Sequence, residues 1–329
     1  MGLLRNAVDA ALELPVAPSF TRLGYDARAR YDHWRPLDSY DLTGQVVLLT
    51  VGTSGLGRAA ARQLATCGAA VTLLGRDLGR TRAAWEDIAR ATGNEQGGVL
   101  LADMADLAQV RAAAAEFAED HDRLDVLVHN AGALTSDRRT APDGTEATVA
   151  AQVLGPFLLT SLLLPCLRSA RPGRVLTMSS GGMYGAPVTV DRLQMGPDYN
   201  GTEQYARAKR AQVVLNEMWA DRVDPTEVVF HSLHPGWADT PGVRASLPTF
   251  RKVVGPLLRT PVQGADTLVW LAADDEPLGS TGGFWHDRQV RTTHRLPSTR
   301  RSDTPELRQR LWDWCAQRTG ADVPSTSAP

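Results

Sequence analysis

Three features of the sequence predict an α/β fold, a doubly wound parallel sheet of about seven strands with helices on both faces. From Val46 onward, short apolar runs alternate with alanine-rich stretches of helical length, the pattern of repeated βαβ units. The apolar runs are continuous rather than alternating, as expected of strands covered on both sides. A turn of small residues, Thr50-Val51-Gly52-Thr53-Ser54-Gly55-Leu56-Gly57, joins the first run to the first helical stretch.

The elements follow in order. Residues 46–50 read as a strand, 58–66 as a helix stopped by Gly68, and 71–74 as the second strand. Further strands are expected near 99–101, 124–128, 174–178 and 228–233, and long helices over 145–167 and 203–222. Ahead of this domain, taken as 44–290, residues 1–43 form an N-terminal extension expected to pack on the domain surface. It carries an amphipathic stripe (Leu3, Leu4, Ala7, Val8, Ala11, Leu12) and then Tyr25, Tyr31 and Trp34 without a clear period. After Val290 the chain turns polar and arginine-rich. In this C-terminal extension, 291–329, only 305–317 reads as a helix, and disorder is expected from about residue 320.

Composition narrows the function. With 329 residues, 43% of them hydrophobic, the chain can bury a substantial core. Its 35 basic and 37 acidic residues give a formal charge of −2, which argues against a nucleic-acid partner. Cys67, Cys166 and Cys315 are odd in number and show no CxxC, so neither a disulfide framework nor a zinc site is indicated. The N-terminus lacks the features of a secretory signal. The most apolar run, 153–167, falls short of the roughly 20 residues a bilayer requires. A reducing, cytoplasmic setting without a transmembrane segment is the expectation.

Two constellations carry chemistry. The small-residue turn lets backbone N–H groups at a helix N-terminus approach a pyrophosphate, although such a turn can also be merely structural. The second strand ends in Gly75-Arg76, with no acidic residue in place to accept hydrogen bonds from an adenosine ribose. Arg76, with Arg58, is instead suited to a 2′-phosphate, which favours NADP(H) over NAD(H); a solvated arginine pair is the bland alternative. Tyr205 and Lys209 are four residues apart, hence on one helix face. A nearby ammonium stabilises phenolate and so equips a tyrosine for proton exchange with a carbonyl or alcohol oxygen. An ordinary i,i+4 pair has the same spacing, but only two of the 35 basic residues are lysines, and one stands here.

With these motifs the chain resembles the short-chain dehydrogenase/reductase family over about 44–290. The resemblance rests on the glycine turn, His129-Asn130-Ala131-Gly132, Tyr205-x-x-x-Lys209 and Pro235-Gly236-Trp237-Ala238-Asp239-Thr240. Trp34-Arg35-Pro36-Leu37 and the segment 259–265 resemble the branch named for dehydrogenase/reductase member twelve. The family implies a Rossmann-type fold whose cofactor contacts fall on Thr50, Gly52, Thr53, Ser54, Gly55, Leu56 and Gly57. It places Asp103 at the adenine, Asn130, Ala131 and Gly132 along the cofactor's path, and Pro235, Gly236 and Thr240 at the nicotinamide end. It implies Tyr205 as acid/base, Lys209 as partner of phenol and ribose, and Ser180, with Ser179 as fallback, as holder of the reacting oxygen. It also implies a possible homodimer formed through the two long helices.

The stretch between Ser180 and Tyr205, with Met183, Tyr184, Pro187 and Met195, is expected to shape the substrate pocket. Apolar residues after the sixth strand, among them Trp237, Leu247, Phe250 and Val253, fall where the family carries a lid over substrate and suggest a bulky, hydrophobic alcohol or ketone, with buried helix contacts as the alternative. His231 and His234 read as packing residues. Two positions depart from the family pattern. Val51 stands where the first turn glycine is usual, with Gly52 able to compensate if the strand end shifts by one. Gln152 replaces the asparagine that bends the central helix and supports a proton relay, so the relay is kept, displaced or lost. The expected activity is an NADP(H)-dependent carbonyl–alcohol oxidoreductase. A cofactor-binding scaffold without activity and a redox-neutral dehydratase or isomerase are the alternatives.

Overall fold

The computed structural model describes residues 16–325, so the expected stripe from Leu3 to Leu12 and the tail from residue 326 lie outside the described residues. β1 (Val46–Thr50) is buried from Val47 onward and lies third from one edge of an eight-stranded sheet. β2 (Ala70–Gly75) and β3 (Gly97–Leu101) lie to one side. On the other are β4 (Val126–His129), β5 (Gly173–Met178), β6 (Val228–Leu233), β7 (Phe284–His286) and β8 (Gln289–Val290). All pairings are parallel except β7 with β8. The order β3-β2-β1-β4-β5-β6 reverses direction between β1 and β4, where a doubly wound sheet opens its ligand crevice. The eighth strand exceeds the expected seven because two residues are too few to show a period. Its tight turn is set by Asp287 and Arg288, both at positive φ (53° and 55°), a hairpin geometry matched to strand twist.

Alternating strand residues feed two cores. Leu48, Leu74, Leu127 and Val175 face α5 (Leu107–Asp120), α6 (Ala147–Ala170) and α7 (Gly201–Ala220). Val47, Leu49, Leu73 and Val128 face α3 (Gly55–Thr66), α4 (Leu78–Thr92) and α10 (Pro261–Ala273). α6 is apolar enough to cross a membrane, with a mean hydropathy of 1.8, but 78% of that stretch is buried in this fold, as in a core helix. One turn of it, Ala150–Leu154, is a π-helix, in which the Gly155 N–H reaches back five residues to the Ala150 carbonyl.

The extensions are more deeply integrated than the sequence suggests. α1 (Val16–Phe20) and α2 (Arg22–Tyr31) bury Phe20 and Arg28. Arg28 and Arg259 meet on the buried Asp287, at 2.7 Å and 2.5 Å. At the other end there are two helices beyond β8, not one: α11 (Pro297–Ser302) and α12 (Pro305–Thr319). α12 inserts Leu311, Trp312 and Cys315 into the first core. The Trp312 ring lies 4.9 Å from Trp219 and 5.0 Å from Phe157, with the Arg222 guanidinium 4.2 Å from its centre. Expected disorder from residue 320 is not met over 320–325. Gly320 closes α12 in the left-handed conformation, Ser161 donates a hydrogen bond to the Asp322 carbonyl, and Val323 packs on the core.

α7 has 15 of its 20 residues buried within the single chain, and α12 lies along it, joined by the Arg308–Glu217 ion pair. The surface through which the resemblance would pair two copies is thus partly taken by the chain's own C-terminal helix. Replacing Trp312 by Ala is expected to cost about 3–5 kcal/mol of stability through the aromatic cavity it leaves. Urea unfolding checks this, and a change below about 1 kcal/mol would place α12 outside the cooperative core.

Candidate active site

The crevice is built from the β1–α3 turn outward. Thr50 Oγ1 accepts hydrogen bonds from the backbone N–H groups of Asn130 (3.0 Å) and Ala131 (3.1 Å) and donates to the Val128 carbonyl (3.2 Å). Asn130 returns the contact, its Nδ2 donating to the carbonyls of Thr50 (3.3 Å) and Val51 (2.9 Å). The end of β1 and the end of β4 are thereby stapled together. The possible one-residue shift onto Gly52 does not occur. Val51 itself takes the left-handed conformation, at φ 59°, and its side chain is 38% exposed. β1 stays in register because the Val51 N–H still bonds the Leu74 carbonyl at 2.8 Å. Gly52 is instead packed under Leu73.

Gly57 has no room for a side chain, since a Cβ there would lie 2.3 Å from the Val51 carbonyl oxygen and 2.4 Å from Asn130 Nδ2. α3 starts at Gly55, three residues earlier than expected, and Ser54 makes no side-chain cap. Its first-turn amides, beside Thr53, Ser54, Gly55 and Leu56, therefore suit an anionic ligand. Thr240 caps α8 (Pro241–Ser246) and faces this turn, its Cβ 3.3 Å from where a Cβ of Gly55 would lie.

At the end of β2, Arg76 is exposed and has no ion-pair partner among the described residues. Asp77 beside it caps α4 by accepting from the Arg80 N–H at 3.0 Å. Arg58, expected alongside Arg76, is instead ion-paired with Asp87. Asp103, two residues beyond β3, is half-buried and accepts from the Ala105 N–H at 3.0 Å. These residues fit a dinucleotide, through close backbone approach and uncapped amides.

Ser180, Tyr205 and Lys209 meet at the end of β5. Ser180 stands close enough to the Tyr205 phenol to lower its pKa, and its hydroxyl accepts from the Gly182 N–H at 3.3 Å. Ser179 is buried and donates to the Lys209 carbonyl at 3.3 Å, which leaves Ser180 as the serine in contact with the phenol. Lys209 Nζ lies 5.5 Å from the Tyr205 ring centre and donates to the Met178 carbonyl and to Gln212 Oε1, both at 2.9 Å. A Cβ on Gly132 would stand 2.9 Å from Nζ, so a side chain there would displace the ammonium. Gln152 lies within the π-turn. Its Nε2 donates to the Ala133 carbonyl at 3.0 Å, while its Oε1 is buried.

Burial controls the protonation of this group. It raises the Tyr205 phenol above its ordinary value of 10, against the lowering effect of the Ser180 hydrogen bond, and it pushes Lys209 down to about 7. The expected pull of the ammonium on the phenol is therefore outweighed in the chain alone. At neutral pH Tyr205 is a neutral phenol, the form that donates a proton.

Around the site several expectations change. Met183 and Tyr184 do not line a pocket; they are buried with Phe20, Val213 and Phe284 in a third apolar cluster. The stretch expected to form a lid folds as α8 and α9 (Pro248–Val254), joined by Asp239, which accepts from both Arg244 and Arg251 and is held near pKa 2 by those bonds. Trp237 meets Phe250 at 5.1 Å, and Val253 is 77% exposed. His231 bonds the Pro277 carbonyl and Trp285, as a packing residue does, and no metal-ligand cluster occurs among the described residues. Sequence reasoning missed Arg259. A Cβ on Gly236, whose φ is 74°, would lie 2.3 Å from Arg259 Nε, so the Pro235-Gly236 turn rests against this guanidinium. An arginine in an arginine-rich chain gives no signal of that role.

A parallel-sheet crevice with a glycine turn on one wall and a Ser-Tyr-Lys group on the other defines a nucleotide-dependent oxidoreductase fold. The profile of the short chain dehydrogenases matches residues 45–249, and the chain belongs to that family. It is 37% identical over 314 residues to human dehydrogenase/reductase SDR family member 12, spanning 94% of this chain and 96% of that protein. It is 33% identical over 294 residues to human retinol dehydrogenase 14, spanning 82% and 84%. In structure it resembles the Pseudomonas aeruginosa RhlG/NADP active-site complex, with a TM-score of 0.62 at 23% identity over 76% of this chain and 96% of that one.

Val51→Gly is expected to raise stability by about 1 kcal/mol, the relief of left-handed strain (about 1–2 kcal/mol) exceeding glycine's entropic cost. Thermal and urea unfolding read the change; destabilisation would mean that the valine side chain makes compensating contacts.

Proposed function

We propose that the protein is an NADP(H)-dependent oxidoreductase that interconverts a carbonyl and an alcohol on a bulky, hydrophobic small molecule. The observation that carries this reading is the hydroxyl pair of Ser180 and Tyr205 with the buried Lys209 ammonium behind the phenol. The printed names of two similar proteins support it: one is a retinol dehydrogenase and the other was solved with NADP. When bound, the nicotinamide supplies or accepts the hydride.

The chain's own residues orient and protonate. Backbone amides from Gly52 to Gly57 hold the pyrophosphate, Asp103 meets the adenine, and Arg76 takes the 2′-phosphate. Asn130, Ala131 and Gly132 line the cofactor's path. Pro235, Gly236 and Thr240 hold the nicotinamide end, and the Lys209 ammonium also reaches the ribose. Ser180 donates a hydrogen bond to the substrate oxygen, and Tyr205 gives that oxygen its proton during reduction or takes it during oxidation. The Lys209 ammonium stabilises the phenolate left behind, and Gln152 positions the loop beside it through the Ala133 carbonyl. Neutral Tyr205 at pH 7 is the form that gives up the proton in carbonyl reduction. Three free, buried thiols agree with a reducing, cytoplasmic setting.

Tyr205→Phe is expected to lower turnover of an aryl or long-chain ketone by about 10²–10⁴-fold while cofactor binding persists. NADPH oxidation followed by absorbance, beside a fluorescence binding titration, checks both. Product formed without consumption of NADPH would instead assign redox-neutral chemistry. Arg76→Ala is expected to weaken NADPH binding about tenfold and leave NADH nearly unchanged. Equal losses for the two cofactors would remove Arg76 from 2′-phosphate recognition.

A further inference from the structure

Between β4, β5, β6, α6 and α7 lies an interior cavity of about 30 Å³, counted as space open to the centres of water molecules. Four of its lining side chains, His129, Gln152, Gln212 and Asn216, are each more than nine-tenths buried. Between them they carry five polar atoms without a protein partner: His129 Nδ1, Gln152 Oε1, Gln212 Nε2, and Asn216 Nδ2 and Oδ1. One water occupies about 10–15 Å³ by this measure, so two fit, and two waters offer enough hydrogen bonds for all five atoms. An apolar ligand of that size would leave every one of them unsatisfied.

We infer that this cavity is a water site and that its water makes Gln212 a positioning residue for Lys209. The Gln212 amide has one workable orientation. Its Oε1 accepts from the Lys209 ammonium, because the reverse would set NH₂ against NH₃⁺, and this sends Nε2 into the cavity as a donor. Water that accepts from Nε2 holds the amide in place. Two of the three ammonium donors are then fixed, on Gln212 and on the Met178 carbonyl, and one remains for the crevice.

The groups facing the ammonium are few. Tyr205 lies on its own helix, Ser180 and the Met178 carbonyl at the end of β5, and the uncharged Gln152 on α6. No carboxylate is ion-paired with it among the described residues. Arg207 is paired with Glu203, and Arg210 bonds the carbonyls of Met183 and Ala186.

The inference gains its catalytic meaning from the proposed function, but its test requires no turnover. The chain has only two lysines, so protein labelled with ¹³C at lysine Cε gives two signals, and Lys252→Arg leaves that of Lys209 alone. The parent is expected to titrate near 7. Gln212→Met, which removes the acceptor, is expected to lower the midpoint by about one pH unit. Asn216→Leu fills the cavity without touching Lys209 and is expected to lower it in the same direction. Where either variant fails to fold, Gln212→Glu reads the same contact with the opposite sign, raising the midpoint. Titration of the folded variants indistinguishable from the parent overturns the inference. So does a fall with Gln212→Met but none with Asn216→Leu, which would assign the contact to Gln212 without water. Because the lysine signal is read directly, an inactive parent would count against the oxidoreductase reading alone.

Discussion

The architecture turns on a reciprocal set of hydrogen bonds between Thr50 and Asn130 at the point where the sheet reverses its winding. A parallel sheet has no covalent link between neighbouring strands near their carboxyl ends, so the width of the crevice there depends on side chains. Thr50 reaches the backbone at three residues on the β4 side, and Asn130 reaches two carbonyls on the β1 side. This explains how a valine can occupy a left-handed position. The carbonyl of Val51 is fixed from across the crevice, and Gly57 leaves the space that the carbonyl occupies. The strain is local and the turn keeps its shape.

A second constraint is electrostatic. Asp287 is buried with two guanidiniums, one from the N-terminal α2 and one from Arg259 beneath the Pro235-Gly236 turn. Arg259 also donates to the carbonyls of Ser19 and Thr21, and the Trp237 N–H bonds the Phe20 carbonyl at 2.7 Å. A buried charge left unpaired is costly, so the three residues stand or fall together. Their joint effect is to fix the loop after β6 to a segment more than 200 positions earlier in the chain.

The strands and the Tyr205–Lys209 pair were legible because they are local. Continuous apolar runs announce covered strands, and a four-residue spacing announces a shared helix face. β8 was not legible, because two residues carry no period, and the depth of the extensions was hidden by polar composition around a few anchors such as Phe20 and Trp312. The protonation of the pair was not legible, because spacing reports that an ammonium is near but not how much water both groups have lost, and that loss raises the phenol and lowers the ammonium. Gln212 escaped notice because its importance comes from a cavity assembled by five elements far apart in sequence.

The position of α12 also bears on how the chain reaches its native state. The aromatic group of Phe157, Trp219 and Trp312 draws on three helices, and the last of them is contributed by residues 305–319. During synthesis the sheet and both long helices emerge from the ribosome well before Trp312 does. Until then Trp219 is covered by Phe157 and Phe230 alone and its side toward α12 stays open, and exposed apolar surface of this kind is what chaperones recognise. The nascent protein therefore passes through a stage in which its nucleotide crevice can be in place while one of its two cores still stands open.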